Sequence, residues 1–119
     1  MALVKNWTDL VAWQKAHELI IEIYKITKNF PKDELYALVQ QIRRAGVSIA
    51  ANIAEGFHRK TTKDRTHFYT MSLTSLEEVK YYVILSKDLK YIDTELAREL
   101  YSLCNEVGRL LRGWIKSQK

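Results

Sequence analysis

The chain has 119 residues, a net charge of +5, and 47% hydrophobic against 28% charged residues. That composition excludes a disordered chain and describes one domain, residues 1–119, long enough to bury a core without disulfides or a metal. One proline, four glycines and one cysteine disfavour an all-β fold and rule out an internal disulfide.

The first helix is expected from about Leu10 to Lys28. Thr8 or Asp9 can cap it, and Trp13, Ala16, Ile20, Ile23 and Thr27 recur at alternating three and four spacing, which places them on one face. Phe30-Pro31 ends it, because proline disfavours helical geometry in the residue before it. The second helix is expected to start at Lys32 or Asp33, with Leu35, Val39, Ile42, Gly46, Ile49 and Ile53 as its stripe and Gly56 as its stop. After Phe57-His58-Arg59-Lys60, Thr61 or Thr62 can cap a third helix from about Lys63 to Leu89, with Phe68, Ser72, Leu76, Val79, Val83 and Ser86 inward. The fourth follows Asp93, a good N-cap, and carries Leu96, Leu100, Leu103, Val107, Leu110 and Trp114 at 4-3-4-3-4 spacing. Four helices with short links predict an all-α, antiparallel, up-down-up-down four-helix bundle. No apolar run approaches the roughly 20 residues of a membrane helix, and MALVKNWTDL has no leader-like apolar core. A reducing cytoplasm is the expected location, with no membrane partner.

The stretch Gln41–Gly56, QIRRAGVSIAANIAEG, has a helical period but few large side chains. At 100° per residue, Gln41, Arg44, Ser48, Asn52 and Glu55 form one narrow polar stripe. Serine and asparagine are poor choices for an exposed helix interior, so a buried or half-buried hydrogen-bond network is expected in preference to a solvated face. Glu78 on the third helix lies in apolar company, and a buried carboxylate needs a donor. Arg44 or Asn52 is the expected partner. Arg43 points elsewhere, among Tyr36, Val47, Ala50 and Ala54. Two readings stand for it: a subunit contact, where its planar donors meet a partner's carboxylate or carbonyls, or a side chain that reaches to water.

The positive excess lies in the second half: +1 over residues 1–57 and +4 over residues 58–119. On the fourth helix Arg98, Asn105, Arg109, Arg112 and Lys116 fall within about 60° of one another. That ridge is either a solvated face or a track for a phosphate backbone. His58, Arg59, Lys60, Lys63 and Arg65 form a second basic patch with the same two readings. Neither carries a glycine-rich phosphate loop or a nucleic-acid motif. No catalytic constellation is present. His17 reads as a packed core histidine, while His58 and His67 lack ligand spacing. No Glu-x-x-His motif exists, so neither a metal nor another cofactor is expected. Cys104 reads as a buried, inert thiol.

The residues Trp13-Gln14-Lys15-Ala16, Phe30-Pro31, Gln41-Ile42-Arg43-Arg44-Ala45, Ser48-Ile49, Asn52-Ile53-Ala54-Glu55-Gly56 and Ser75-Leu76-x-Glu78 carry a resemblance over nearly the whole chain. In them the sequence resembles the bacterial four-helix-bundle family encoded by 23S rRNA intervening sequences. Thr74 and Lys90 stand where that family usually has glycines, so the third helix lacks its usual glycine stop. The resemblance implies a left-handed up-and-down bundle and ring-like homopentamers, and it carries over no enzymatic activity, so no enzyme is expected. Similar accessory proteins of diversity-generating retroelements bind nucleic acid and a reverse transcriptase. Two functions follow as expectations. One is an oligomer that associates with RNA or DNA through its basic surface. The other is a ring that recruits a protein partner such as a reverse transcriptase, without affinity for nucleic acid.

Overall fold

The computed structural model describes residues 4–118. Its helices are α1 (Val11–Thr27), α2 (Leu38–Phe57), α3 (Thr62–Asp88) and α4 (Thr94–Ser117), with short 3-10 turns at Trp7–Asp9 and Lys32–Glu34. The described residues contain no strand. Each helix packs against two others in the cyclic order α1, α2, α3, α4, the arrangement of a four-helix bundle. The Tyr91 hydroxyl, in the α3–α4 link, donates to Glu34 Oε2 at 2.7 Å in the α1–α2 link. The Glu34 carboxylate pushes the Tyr91 phenol pKa up. These two links therefore share one end of the bundle, as alternating helix directions require.

Local chemistry sets the boundaries. Thr61 Oγ1 accepts from Asp64 N at 3.1 Å and starts α3, and Asp93 Oδ1 accepts from Leu96 N at 2.8 Å and starts α4. Asp9 does not cap α1. Its carboxylate accepts from the Lys5 and Asn6 amides at 3.0 Å and folds the preceding turn, which leaves Leu10 at the cap position. Those amides hold the Asp9 carboxyl below the ordinary carboxylate range. The second helix starts later than expected. Pro31 is extended, residues 32–34 make one 3-10 turn, and Ala37 (φ −123°, ψ −100°) is non-helical. Leu35, expected in the core stripe, is exposed there, and Leu38 takes its place beside Val39, which is buried as expected.

The core is built from Leu19, Ile23, Ile42, Ile49, Ile53, Leu76, Val79, Val83, Val107 and Leu111, all essentially without exposed surface. On α3, Tyr69 is fully buried, whereas Phe68, expected inward, is only partly so. On α4 the buried residues are Ala97, Leu100, Cys104, Val107, Gly108 and Leu111. Leu96, Leu103, Leu110 and Trp114 flank them and are partly buried. The buried arc is thus rotated by about 70° from the leucine stripe. Small residues on its α3 side bring α3 and α4 close together: a methyl group on Gly108 would lie 3.2 Å from Leu76 Cδ2.

α3 ends without glycine in the geometry that glycine favours. Tyr91 N donates to Ser86 O and Lys90 N to Lys87 O, both at 2.9 Å, which is a Schellman closure. Lys90 sits in the left-handed region at φ 66°, where a side chain is disfavoured by about 1–2 kcal/mol. Lys90→Gly should stabilise the protein by about 1 kcal/mol and raise its Tm by about 4 °C in a thermal melt. An unchanged or lower Tm would contradict this account of the stop.

Candidate functional site

Three regions were expected to carry function, and the structure treats them differently. The α4 ridge is present as drawn. Arg98, Asn105, Arg109, Arg112 and Lys116 are all exposed. Among the described residues, none of its four cations forms an ion pair. From Arg98 to Lys116 the ridge is about 27 Å long at helical rise. Because the buried arc is rotated, the ridge does not lie opposite the core but leans toward α3. Arg98 and Asn105 line a groove between α3 and α4 together with Tyr101.

The loop patch divides. Arg65 points back into its own loop, with Nη1 donating to the Arg59 and Lys60 carbonyls at 3.1 and 3.0 Å and Nη2 donating to Thr62 Oγ1 at 3.2 Å. Arg59 pairs with Glu55 and lies 4.5 Å over the Phe68 ring. These two arginines fold the α2–α3 link, which corrects their place among free surface cations. His58, Lys60 and Lys63 are exposed.

The polar stripe of α2 forms a network, but a smaller one than expected. Asn52 Nδ2 donates to Ser48 O and Ser48 Oγ, both at 2.9 Å. Ser75 Oγ donates to Ser48 Oγ at 2.8 Å, and the buried Ser72 Oγ donates to Ile49 O at 2.7 Å. These bonds stitch α2 to α3 through hydroxyl-sized groups and let the two backbones approach. Gln41, Arg44 and Glu55 are exposed and lie outside the network. Glu78 is also exposed and is not paired with Arg44 or Asn52. The apolar neighbours that made it look buried sit at the edge of α3, where its carboxylate reaches water. Ser75 and Ser72 were the missed members. Their signal was a serine on a core stripe, which needs an acceptor on the facing helix.

Arg43 is half-buried and straps α2 to α1. Its Nε donates to Thr27 Oγ1 at 2.9 Å, Nη2 reaches Tyr24 O at 3.4 Å, and the guanidinium lies 4.5 Å over the Tyr24 ring. Thr27 in turn donates to Ile23 O at 2.7 Å. Around Arg43 the α1/α2 face leaves Ile21, Tyr24, Leu35, Tyr36 and Val47 exposed, Tyr36 at 85%. Two shallow grooves run along this face, one from Trp7 and Trp13 to Ala54, the other from Tyr24 to Arg44. His17 is exposed and stacked on Trp13 at 5.0 Å, not packed in the core as expected. Cys104 is fully buried, and burial pushes its thiol up to about 12. It therefore stays protonated and unreactive at neutral pH. Among the described residues no three His, Cys, Asp or Glu side chains gather into a cluster. No helix among the described residues is long and apolar enough to cross a membrane.

At the far end of the bundle, Gly56 lies against the Tyr69 ring. The Tyr69 hydroxyl, Trp114 Nε1 and Arg65 Nε are buried there without hydrogen-bond partners of good geometry. Burial raises the Tyr69 phenol pKa, and the neighbouring Trp114 N–H and Arg65 charge partly oppose that rise.

A search of curated proteins found no match. Among solved structures, the chain is similar to a protein with unknown function from the S23 ribosomal protein family of Bacteroides thetaiotaomicron. The two share 26% identity and a TM-score of 0.82 over 89% of this chain and 96% of that one. The model of the 23S rRNA-intervening sequence protein family matches residues 8–113. With that match over most of its length, and with four helices in the bundle order, the chain belongs to the family of 23S rRNA-intervening sequence proteins.

Proposed function

We propose that this protein is a non-enzymatic, self-associating helical bundle that works in the cytoplasm and binds nucleic acid, RNA or DNA, along the α4 ridge. The observation that carries this reading is the line of Arg98, Arg109, Arg112 and Lys116, exposed on one side of one helix and without acidic partners among the described residues. Some lysines and arginines on other faces sit beside a carboxylate, as Lys15 does with Glu18 and Glu106, Lys25 with Glu22 and Lys80 with Glu77. A row of unpaired cations about 27 Å long matches a polyanion, and the release of condensed counterions drives such binding. Lys60 and Lys63 add positive charge at the α2–α3 link. The test is fluorescence anisotropy with labelled RNA and DNA. Binding should be tight at low salt, fade as salt rises, and weaken when Arg109 and Arg112 are reversed to glutamate. No binding at low salt would remove the ridge as a site and leave the protein-recruiting ring as the surviving reading.

Self-association rests on the α1/α2 face. Its exposed Tyr24, Leu35, Tyr36 and Val47 surround Arg43, whose remaining guanidinium donors are free for a partner's carbonyl or carboxylate. A ring of about five copies agrees with the resemblance. Light scattering should give about five chains per particle, and Tyr36→Asp should shift the particle toward single chains. A wild-type monomer would contradict both the ring and the interface role of Arg43.

A further inference from the structure

The groove between α3 and α4 borders the ridge and is built differently from it. Ile84 and Ala97 line it, with Arg98, Tyr101, Ser102 and Asn105 along the α4 side, around a volume of about 400 Å³. That volume falls within the range of cavities that hold ring-sized ligands. Tyr101 is 36% exposed, and the exposed Tyr81 and Ile84 lie on the facing helix. The Lys80 ammonium stands 5.5 Å from the Tyr101 ring centroid and is tied to Glu77 at 3.2 Å. On α4, Arg98 lies three residues before Tyr101 and Asn105 lies four residues after it. A cation, an aromatic ring and an amide therefore follow one another within about 10 Å along the helix.

We infer that this groove seats unstacked bases of a single-stranded nucleic acid, with Tyr101 as the stacking platform and Asn105 at the polar edge of the base. The inference rests on the ridge being the phosphate track. A polyanion alone would need only the ridge cations. An exposed ring beside them adds what single strands offer and duplexes hide, the flat faces of their bases. Every base has such a face, so this contact selects for strandedness with little regard to sequence. The amide side chain presents both a donor and an acceptor, the pattern that pairs with base edges. Arg98 sits where the phosphate joining two such bases would pass from the groove to the ridge.

The test uses the full chain and three labelled probes: an oligoadenylate RNA strand of about 15 nucleotides, its DNA counterpart, and an RNA duplex of the same length. At equal salt the single strands should bind more tightly than the duplex. Tyr101→Ala should weaken both single strands about tenfold and leave the duplex unchanged, while Tyr101→Phe should bind like the parent protein. Asn105→Ala, a substitution on an exposed face, should weaken single strands only and provides the reading if Tyr101→Ala fails to fold. Equal loss for strand and duplex, or no loss for either, would overturn the inference. So would a Tyr101→Phe variant as weak as Tyr101→Ala. If Arg109→Glu/Arg112→Glu abolishes binding of every probe while the Tyr101 and Asn105 variants change nothing, the ridge stands and the groove does not. If no probe binds at low salt, both fail.

Discussion

Gly56→Ala should cost the fold about 2 kcal/mol, whereas Gly113→Ala should stabilise it by up to about 1 kcal/mol. Both glycines lie in helices, where alanine is intrinsically preferred by roughly that second amount. What separates them is space. A methyl group at Gly56 would stand 2.6 and 2.9 Å from two carbons of the Tyr69 ring and 3.2 Å from the Arg65 carbonyl oxygen. The ring has no exposed surface, so it cannot move aside into water. Arg65 is held by the Arg59 and Lys60 carbonyls, so the start of α3 cannot yield without opening the α2–α3 link. Overpacking of this kind costs about 1–3 kcal/mol and occasionally more, which exceeds the propensity gain. At Gly113 nothing lies within 4 Å of the added carbon, and the propensity gain stands alone. Urea titrations of the two variants should therefore shift their midpoints in opposite directions. Gly46 falls between them, since its added methyl would meet the terminal carbon of Ile23 at 3.3 Å and Ile20 Cγ1 at 3.5 Å. A Gly56→Ala protein as stable as its parent would mean that α2 and α3 do not close on each other at this end as described.

The particular residues show what a sequence can reveal here. The caps at Thr61 and Asp93 were legible because capping depends on residues three apart in the chain. The existence of four helices was legible because their apolar periods are long. The phase of α4 was not. Its α3-facing side is occupied by Ala97, Cys104 and Gly108, small residues that carry little hydrophobic signal, so the expected stripe followed the larger leucines on the other flank. The start of α2 was missed because Glu34 is engaged by Tyr91, a partner 57 positions away. The same holds for Arg65, whose acceptors are backbone carbonyls of a loop that no side-chain pattern announces. Ser48 and Asn52 were correctly singled out as half-buried, but their partner Ser75 is on another helix, and the charged residues of the same stripe reach water. The membership of the α4 ridge was legible, since solvated positions of one helix need no tertiary partner to share a face, but its lean toward α3 was not, because that follows from the phase of the buried arc.

Charge reversal on that ridge carries the largest expected functional effect. Four phosphate contacts on a single strand give a slope of log K against log salt of about −3. Reversing Arg109 and Arg112 removes two of them. The slope should fall to about −1.4, and at 0.1 M salt the lost contacts alone weaken binding about 25-fold. Repulsion from the two new carboxylates acts in the same direction. The fold should be untouched, because both side chains are exposed and neither is in an ion pair among the described residues. Reversal of Lys60 and Lys63, in the loop patch, should have a smaller effect, because Arg59 and Arg65 beside them are already engaged by Glu55 and by loop carbonyls.

Phosphate binding along α4 is tested most directly by the salt dependence of RNA binding, measured by anisotropy on the parent protein and on Arg109→Glu/Arg112→Glu side by side. A slope near −3 that roughly halves in the variant is expected, with affinity at least tenfold weaker at 0.1 M salt. Identical slopes and affinities for the two proteins would show that α4 is only a solvated face and that any nucleic acid is held elsewhere.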